Sequence, residues 1–270
     1  MRSVAKENEK IVLVGLNEIF EVFENIEAIN IRARNKYIRY FISKFIEPAF
    51  ELLANKKIIS SYNQIRKNID GYSLAMSDYQ YNKGLVKTIR YVYRGHFQSE
   101  KFFDKKIAHN LQIKKIYMDK ANGFLSSIPG NRYKIFIHIR RGDYLNWSVL
   151  GENPTLPISY FDKQVEWFRN NRKSCFFIFS SDDPYFVKRE FSHVKNKKIS
   201  MNNSVYMDLA IMSMCEGSII SNSSLPWWGA YLMKNRDIVL SPKYWLGFKS
   251  KRWFPEGIKL SFAEIIEVER

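Results

Sequence analysis

Cysteine is scarce. Cys175 and Cys215 are the only two in 270 residues, and neither sits in a Cys-x-x-Cys or Cys/His spacing. That excludes a disulfide framework and a zinc ribbon, and it makes buried free thiols in a reducing compartment the expectation. Glycine and proline are also few, twelve and eight, which excludes a low-complexity or collagen-like chain. No run reaches the roughly 18 apolar residues that a membrane span needs. The opening stretch MRSVAKENEK is charged and lacks the apolar centre of a secretory signal. The expected location is therefore the cytoplasm, with a basic face able to rest on the inner side of the membrane. Acidic residues are outnumbered, 27 against 43 Lys and Arg, for a formal charge of +16. This excess suits an anionic partner: a phosphate-bearing substrate, a membrane surface or nucleic acid. Part of it reads as a solvated Lys-rich surface, as in Lys195-Asn196-Lys197-Lys198.

What is abundant is apolar. Hydrophobic residues make up 46% of the chain and aromatics 16%, enough for a substantial packed core. The two halves are patterned differently. Residues 1–130 carry helical periodicity, clearest over 34–57, where Tyr37, Ile38, Tyr40, Phe41, Phe45 and Ile46 recur at helix spacing and Pro48 marks a break or kink. Residues 85–94 alternate like a strand. Gly95 to Phe103 reads as a turn into a helix, and Asp104 to Asp119 as a connecting helix. Residues 131–270 alternate strand and helix. Apolar runs at Tyr133–Ile139, Cys175–Phe179, Ser218–Ile220 and Asp237–Leu240 are separated by helical stretches at 157–170, 183–191, 206–215 and 225–234. This predicts an α/β protein with two parts, a more helical lobe over 1–130 and a doubly wound, Rossmann-type parallel sheet over 131–270.

Ligands of such sheets bind beyond the carboxyl ends of the strands. Three of the predicted strands end there in polar clusters: His138 to Asp143, Ser180 to Asp183, and Ser221 to Ser224. Their convergence on one edge is the main argument for a site. Arginine is a permanently charged planar donor, so Arg140 or Arg141 can hold a diphosphate, while Asp143 fixes an arginine rotamer by pairing with it. Asn222, Ser223 and Ser224 precede a helix, where free N–H groups and polar side chains cap the helix or bind phosphate. Asp182 and Asp183 stand where one can cap a helix and the other accept hydrogen bonds from a base edge. His138 is either a satisfied core residue or a nucleotide contact. His96, in the turn after the 85–94 strand, is the candidate on the acceptor side. Asp182 and Asp183 form no Asp-x-Asp triplet with a third acid, so no metal is expected.

The segment His138-Ile139-Arg140-Arg141-Gly142-Asp143-Tyr144 resembles the HxRRGDY signature of family 11 glycosyltransferases, the α-1,2-fucosyltransferases. Three further matches are collinear: Gly95 to Phe103 resembles GYFQSEKYF, Phe179 to Asp183 resembles FSDD, and Asp208 to Leu232 resembles DLxLMSxC…SNSSFSWWGAxL. The resemblance covers roughly residues 85–245. It implies a two-lobed, GT-B-like fold, GDP-fucose as donor, and no metal or other cofactor. It implies inverting transfer of L-fucose to the 2-hydroxyl of a terminal galactose, on an oligosaccharide or a lipid-linked glycan. By position, Arg140 would neutralise the β-phosphate as GDP leaves, Ser223 and Ser224 would assist, Asp182 or Asp183 would meet the guanine, and His138 would contact the nucleotide.

Two departures stand out. Leu225-Pro226 replaces the family's Phe-Ser, and the Gly-rich GGLGNQMFQYA loop is not found; residues 11–20 carry only a faint Gly-Leu-Asn-Glu echo. An inverting transfer needs a proton acceptor, for which Asp143 and Glu152 are nearest in sequence. The missing loop makes full donor binding with weak turnover the expectation. Three other readings compete: a different donor or linkage, a non-catalytic homologue, and a nucleic-acid binder. The last would require basic and aromatic residues interleaved on one surface, whereas the aromatics fall largely at core-compatible positions; no nucleic-acid partner is expected.

Overall fold

The computed structural model of the chain describes residues 12–14, 17–31, 35–93, 98–103, 110–255 and 257–269. Its contacts divide it into two units. One takes in the described residues through Gln112, with Pro255 and Gly257; the other runs over Ile113–Phe254 and from Ile258 onward. Among the described residues no helix is long and apolar enough to cross a membrane.

In the first unit, strand β1 (Val12–Val14) pairs in parallel with β2 (Ile29–Ile31), and helix α1 (Asn17–Val22) connects them. Helix α2 (Lys36–Phe41), a π-helical turn (Ile42–Ile46) and α3 (Glu47–Asn55) follow one another without a gap. Pro48 sits in the first turn of α3. It lacks an N–H and its ring crowds the carbonyl four residues back, so the ladder widens to a π-turn just before it. Where a break or kink is expected at Pro48, the helical run continues without a gap through this π-turn.

The larger difference from the sequence lies beyond. Strands β3 (Ile59–Ile69) and β4 (Tyr72–Asn82) form a long antiparallel hairpin, and β5 (Val86–Val92) adds to β3 in parallel. Helical character thus holds for Lys36–Asn55 and not for 59–82, while β5 stands where residues 85–94 are expected to form a strand. Asp70-Gly71 is the signal that locates the hairpin, because both residues have positive φ (51° and 82°) as a tight two-residue turn requires. The aromatics of the helical stretch are also not core. Tyr37, Tyr40, Phe41 and Phe45 are each more than half exposed.

The second unit opens with α4 (Lys115–Ser126). Then come β6 (Tyr133–Ile139), α5 (Ile158–Asn171), β7 (Cys175–Ser181), α6 (Pro184–Glu190), β8 (Lys197–Ile199), α7 (Val205–Ser213), β9 (Gly217–Ile219), α8 (Ser224–Leu232), β10 (Ile238–Pro242) and β11 (Glu264–Ile266). All six strands are parallel, in the order β11-β10-β9-β6-β7-β8. Counted from β6, this is the 3-2-1-4-5-6 arrangement of dinucleotide-binding sheets, with its reversal between β6 and β9. Ile135, Ile137, Ile139, Phe177 and Phe179 point to one face and meet Phe161, Val165 and Phe168 of α5. Helix α7 is apolar nearly all round, and from Asp208 to Ser213 every residue is buried; α4 and α8 cover it. That packing places α4 with the sheet, although the sequence division at 130 puts it in the first lobe. Both cysteines are buried free thiols.

The Lys-rich 195–198 stretch is not a solvated loop throughout. Lys197 and Lys198 belong to β8, and Lys198 Nζ lies 3.8 Å from the Phe124 ring centroid of α4 and donates to the Phe124 carbonyl.

Phe168 is fully buried, and a Cβ at Gly217 of β9 would fall 2.8 Å from its ring. Helix and strand approach as closely as the glycine allows. Phe168→Ala therefore leaves a cavity that neighbours cannot fill. It should cost about 3–5 kcal/mol, read as a lower urea midpoint of unfolding; a loss under about 1 kcal/mol would contradict this packing.

Candidate functional site

The strand-order reversal opens between the carboxyl ends of β6 and β9. His138 and Ser221 meet there. The imidazole Nδ1 and the Ser221 hydroxyl share a hydrogen bond of 2.8 Å, and both residues are buried. Burial pushes the imidazole down to about 3, helped by the nearby Arg140 charge. His138 is therefore neutral at ordinary pH.

A second tie runs between the two loops. The chain leaves β6 through a 3-10 turn, Gly142–Asn146, and the Tyr144 hydroxyl donates to the Asn222 carbonyl at 2.8 Å. Burial pushes that phenol up to about 12, so it stays a donor, with Arg140 opposing the shift. The Asn153 amide closes the turn by donating to the carbonyls of Tyr144 (2.6 Å), Leu145 (3.2 Å) and Trp147 (3.1 Å). The Asn222 amide donates to the Pro154 carbonyl at 2.8 Å. Asn222 thus holds loops together, with only 1% of its surface exposed.

The two arginines part company. Arg140 pairs with Asp143 at 2.8 Å and with Asp182 at 3.1 Å, and keeps about a third of its side chain (34%) open to solvent. Arg141 turns away: its guanidinium lies 3.4 Å from the Phe186 ring centroid and its Nε reaches Asp183 at 3.4 Å. Of the two arginines that could hold a diphosphate, Arg140 is the more open to solvent and Arg141 is packed on Phe186. Asp182 joins them. Its Oδ2 faces Arg140, and its Oδ1 accepts the Arg141 backbone N–H at 2.9 Å. Gly142 makes room for this carboxylate, since a Cβ there would fall 2.5 Å from Asp182 Oδ2. Asp183 caps α6, accepting from the Phe186 N–H at 3.1 Å.

Across the reversal, Ser223 occupies the N-cap position of α8, yet its side chain makes no capping hydrogen bond. Ser224 opens the helix and is exposed, and Pro226 fills its first turn without an N–H. Trp227 is fully buried, and its indole N–H donates to the Ile258 carbonyl at 2.7 Å. The edge therefore presents a partly open guanidinium beside a helix N-terminus whose first N–H groups no side chain caps, an arrangement that suits an anion.

Asp208 is the residue that sequence reasoning passed over. It is 8% exposed on α7 and accepts hydrogen bonds from Ser180 at 2.6 Å and from Ser200. Burial raises its carboxyl, while both hydroxyls oppose the shift. A lone carboxylate in the otherwise apolar run from Val205 to Met212 was the available signal. Tyr144 and Asn153 were given no role for another reason: they grip backbone carbonyls of neighbouring loops, while Gly142 acts by close approach to the Asp182 carboxylate.

The structure brings together His138, Arg140, Asp143, Asp182, Asp183, Asn222, Ser223 and Ser224. Glu152 lies apart on a short reverse turn with Val149, its carboxylate 3.8 Å from Lys249. His96 falls outside the described residues. Among the described residues there is no group of three or more His, Cys, Asp or Glu side chains able to hold a metal.

Several known proteins are similar. An E. coli O-antigen biosynthesis glycosyltransferase, WbnK, is 32% identical over 43% of this chain and 40% of its own length. An E. coli α-1,2-colitosyltransferase is 30% identical over 60% and 57%. A bovine galactoside 2-α-L-fucosyltransferase, SEC1, is 24% identical over 46% and 36%. The chain thus spans about half the length, or less, of these relatives. Among solved structures, POFUT1 in complex with GDP gives a TM-score of 0.42 at 14% identity, over 56% of this chain and 55% of that one. A likeness of that size says nothing of what this chain binds. The family described as Glycosyl transferase family 11 matches residues 16–253. With that match over most of its length, the chain belongs to glycosyltransferase family 11.

Proposed function

We propose that this chain transfers L-fucose from GDP-fucose, with inversion, to the 2-hydroxyl of a terminal galactose in a glycan. The observation that carries the reading is Arg140. It stands at the carboxyl end of β6, beside the strand-order reversal, gripped by Asp143 and Asp182 with its outer part open. In such a transfer the acceptor oxygen attacks the anomeric carbon while the bond to the diphosphate oxygen breaks. The largest new charge is on the departing diphosphate. A guanidinium already held in place stabilises that charge without reorganising, and the open N-terminus of α8 adds partial positive charge. The reading needs no metal for this step. Asp182 acts as a positioning residue, since its oxygens are taken up by Arg140 and Arg141. The acceptor proton goes to a carboxylate; Asp143 and Glu152 are the candidates, and Glu152 is the one not tied to Arg140. A galactose-terminated oligosaccharide or lipid-linked glycan is the acceptor class, met at the inner face of the membrane.

A second reading has its own support. The 30% identity with an α-1,2-colitosyltransferase favours a different deoxy sugar on the same kind of linkage. The site's diphosphate chemistry is the same in both.

Radiolabelled fucose transfer from GDP-fucose to lactose should be measurable, and Arg140→Ala should lower kcat/KM by about 100-fold or more. Asp182→Asn should lose about tenfold, because the arginine is then held on one side only. Faster transfer from GDP-colitose than from GDP-fucose would move the assignment to the second reading, and full activity in Arg140→Ala would overturn both.

The neutrality of His138 is separately testable. Its folded value near 3 lies below the unfolded value of about 6.5. Between these limits the unfolded chain binds the extra proton, so stability rises with pH. The contribution is fully present above pH 6.5 and is lost as pH falls toward 3. Histidine NMR should show His138 uncharged at pH 5, and His138→Asn should flatten this part of the stability profile; a midpoint near 6.5 in the folded protein would contradict the burial argument.

A further inference from the structure

The opposite edge of the parallel sheet carries a second concentration of positive charge. A cavity of about 520 Å³ opens there, lined by Arg132, Arg169, Arg172, Lys195 and His193, with Cys175 and Phe177 among its apolar surface. Arg132 directly precedes β6, Cys175 begins β7, and Asn196 on the rim directly precedes β8. These are amino ends, so the cavity is separated from Arg140 by the length of a seven-residue strand, about 20 Å. It is not an extension of the carboxyl-edge cluster.

No acidic residue lines it. Three carboxylates outside the lining contact its basic residues. Glu166 pairs with Arg169, Asp237 with Arg172 at 2.8 Å, and Asp162 lies 3.2 Å from His193 without hydrogen-bond geometry. Those contacts orient the side chains. Rings do the same: the Arg169 guanidinium lies 5.7 Å from the Phe177 centroid, and that of Arg172 lies 5.9 Å from both Tyr133 and Trp167. Among the described residues Arg132 and Lys195 have no carboxylate partner. The side chains of Arg169 and Arg172 are about two-thirds covered (30% and 32% exposed), so salt screens them less than free surface charges. Planar guanidiniums held in fixed orientation match phosphate oxygens two at a time. The volume is that of an ordinary small-molecule site.

We infer that this cavity is a second anion site, built for a phosphate-bearing ligand and independent of whatever the carboxyl edge binds. The same chemistry fits a soluble oligophosphate or the headgroup of an anionic phospholipid, and two arms of one experiment separate them. His193 is the reporter, with its ring-proton resonance assigned by loss in His193→Gln. Inorganic pyrophosphate is titrated into the wild-type chain and into Arg140→Ala, which disables the other edge. Co-sedimentation with phosphatidylglycerol vesicles, against phosphatidylcholine vesicles, forms the second arm. The test variant is the double substitution Arg132→Gln with Lys195→Gln, which breaks no ion pair; unchanged resonances of the other histidines confirm its fold.

The expected result is a saturable His193 shift in both the wild type and Arg140→Ala, weakened about tenfold or more in the double variant. Vesicle binding lost in the double variant, without a pyrophosphate response, supports the lipid headgroup. Absence of both responses, or responses that the double variant leaves intact, overturns the inference.

Discussion

The carboxylate of Asp182 is the contact on which the rest of the carboxyl edge depends. One oxygen meets the Arg140 guanidinium and the other accepts the Arg141 N–H, so a side chain at the end of β7 fixes how the chain leaves β6. Gly142 can be nothing larger without displacing it. Asp182 is only 25% exposed, which sets the scale. A charge-assisted bond of this kind is worth about 1.5–3 kcal/mol, against the 0–1 kcal/mol typical of an open surface pair. Two further ties act in the same direction. His138 with Ser221 and Tyr144 with Asn222 lock the β6 loop to the β9 loop across the strand-order reversal. Arg140 is thereby placed by its surroundings before any ligand arrives, which is what electrostatic catalysis asks of a charged group.

Much of this was legible in the sequence, for a physical reason. Strands buried in a parallel sheet must be short apolar runs, and their carboxyl ends must turn polar where the chain meets solvent. Tyr133–Ile139 followed by Arg140, and Cys175–Ser181 followed by Asp182, show both properties. The helices between them announce their starts with Pro157 and with Asp183-Pro184. The hairpin of residues 59–82 was not legible from periodicity, because its exposed strands are dominated by polar residues and bury little. Only Asp70-Gly71 betrayed it. Short β8, with two lysines in three residues, failed the apolar test for the same reason.

Site residues divide along similar lines. Charged side chains at strand ends carry their signal in their own identity, so Arg140, Asp143, Asp182 and Asp183 could be named in advance. Asn222 could also be named, yet it serves loop architecture, with its amide spent on the Pro154 carbonyl. Asn153 and Tyr144 grip backbone carbonyls of segments distant or turned in the fold, and side-chain identity says nothing of that. The net charge of +16 likewise reads as a single quantity in sequence. In the folded second unit, part of it is gathered at two opposite ends of one sheet.

The central claim is that Arg140 holds the diphosphate of a guanine nucleotide. Calorimetric titration of GDP into the wild-type chain and into Arg140→Ala tests it most directly, with GDP used so that neither donor sugar nor acceptor enters. Binding weaker by about 10- to 100-fold in the variant, as expected for loss of a charge-assisted contact, is the predicted result; equal affinities in the two proteins would contradict it.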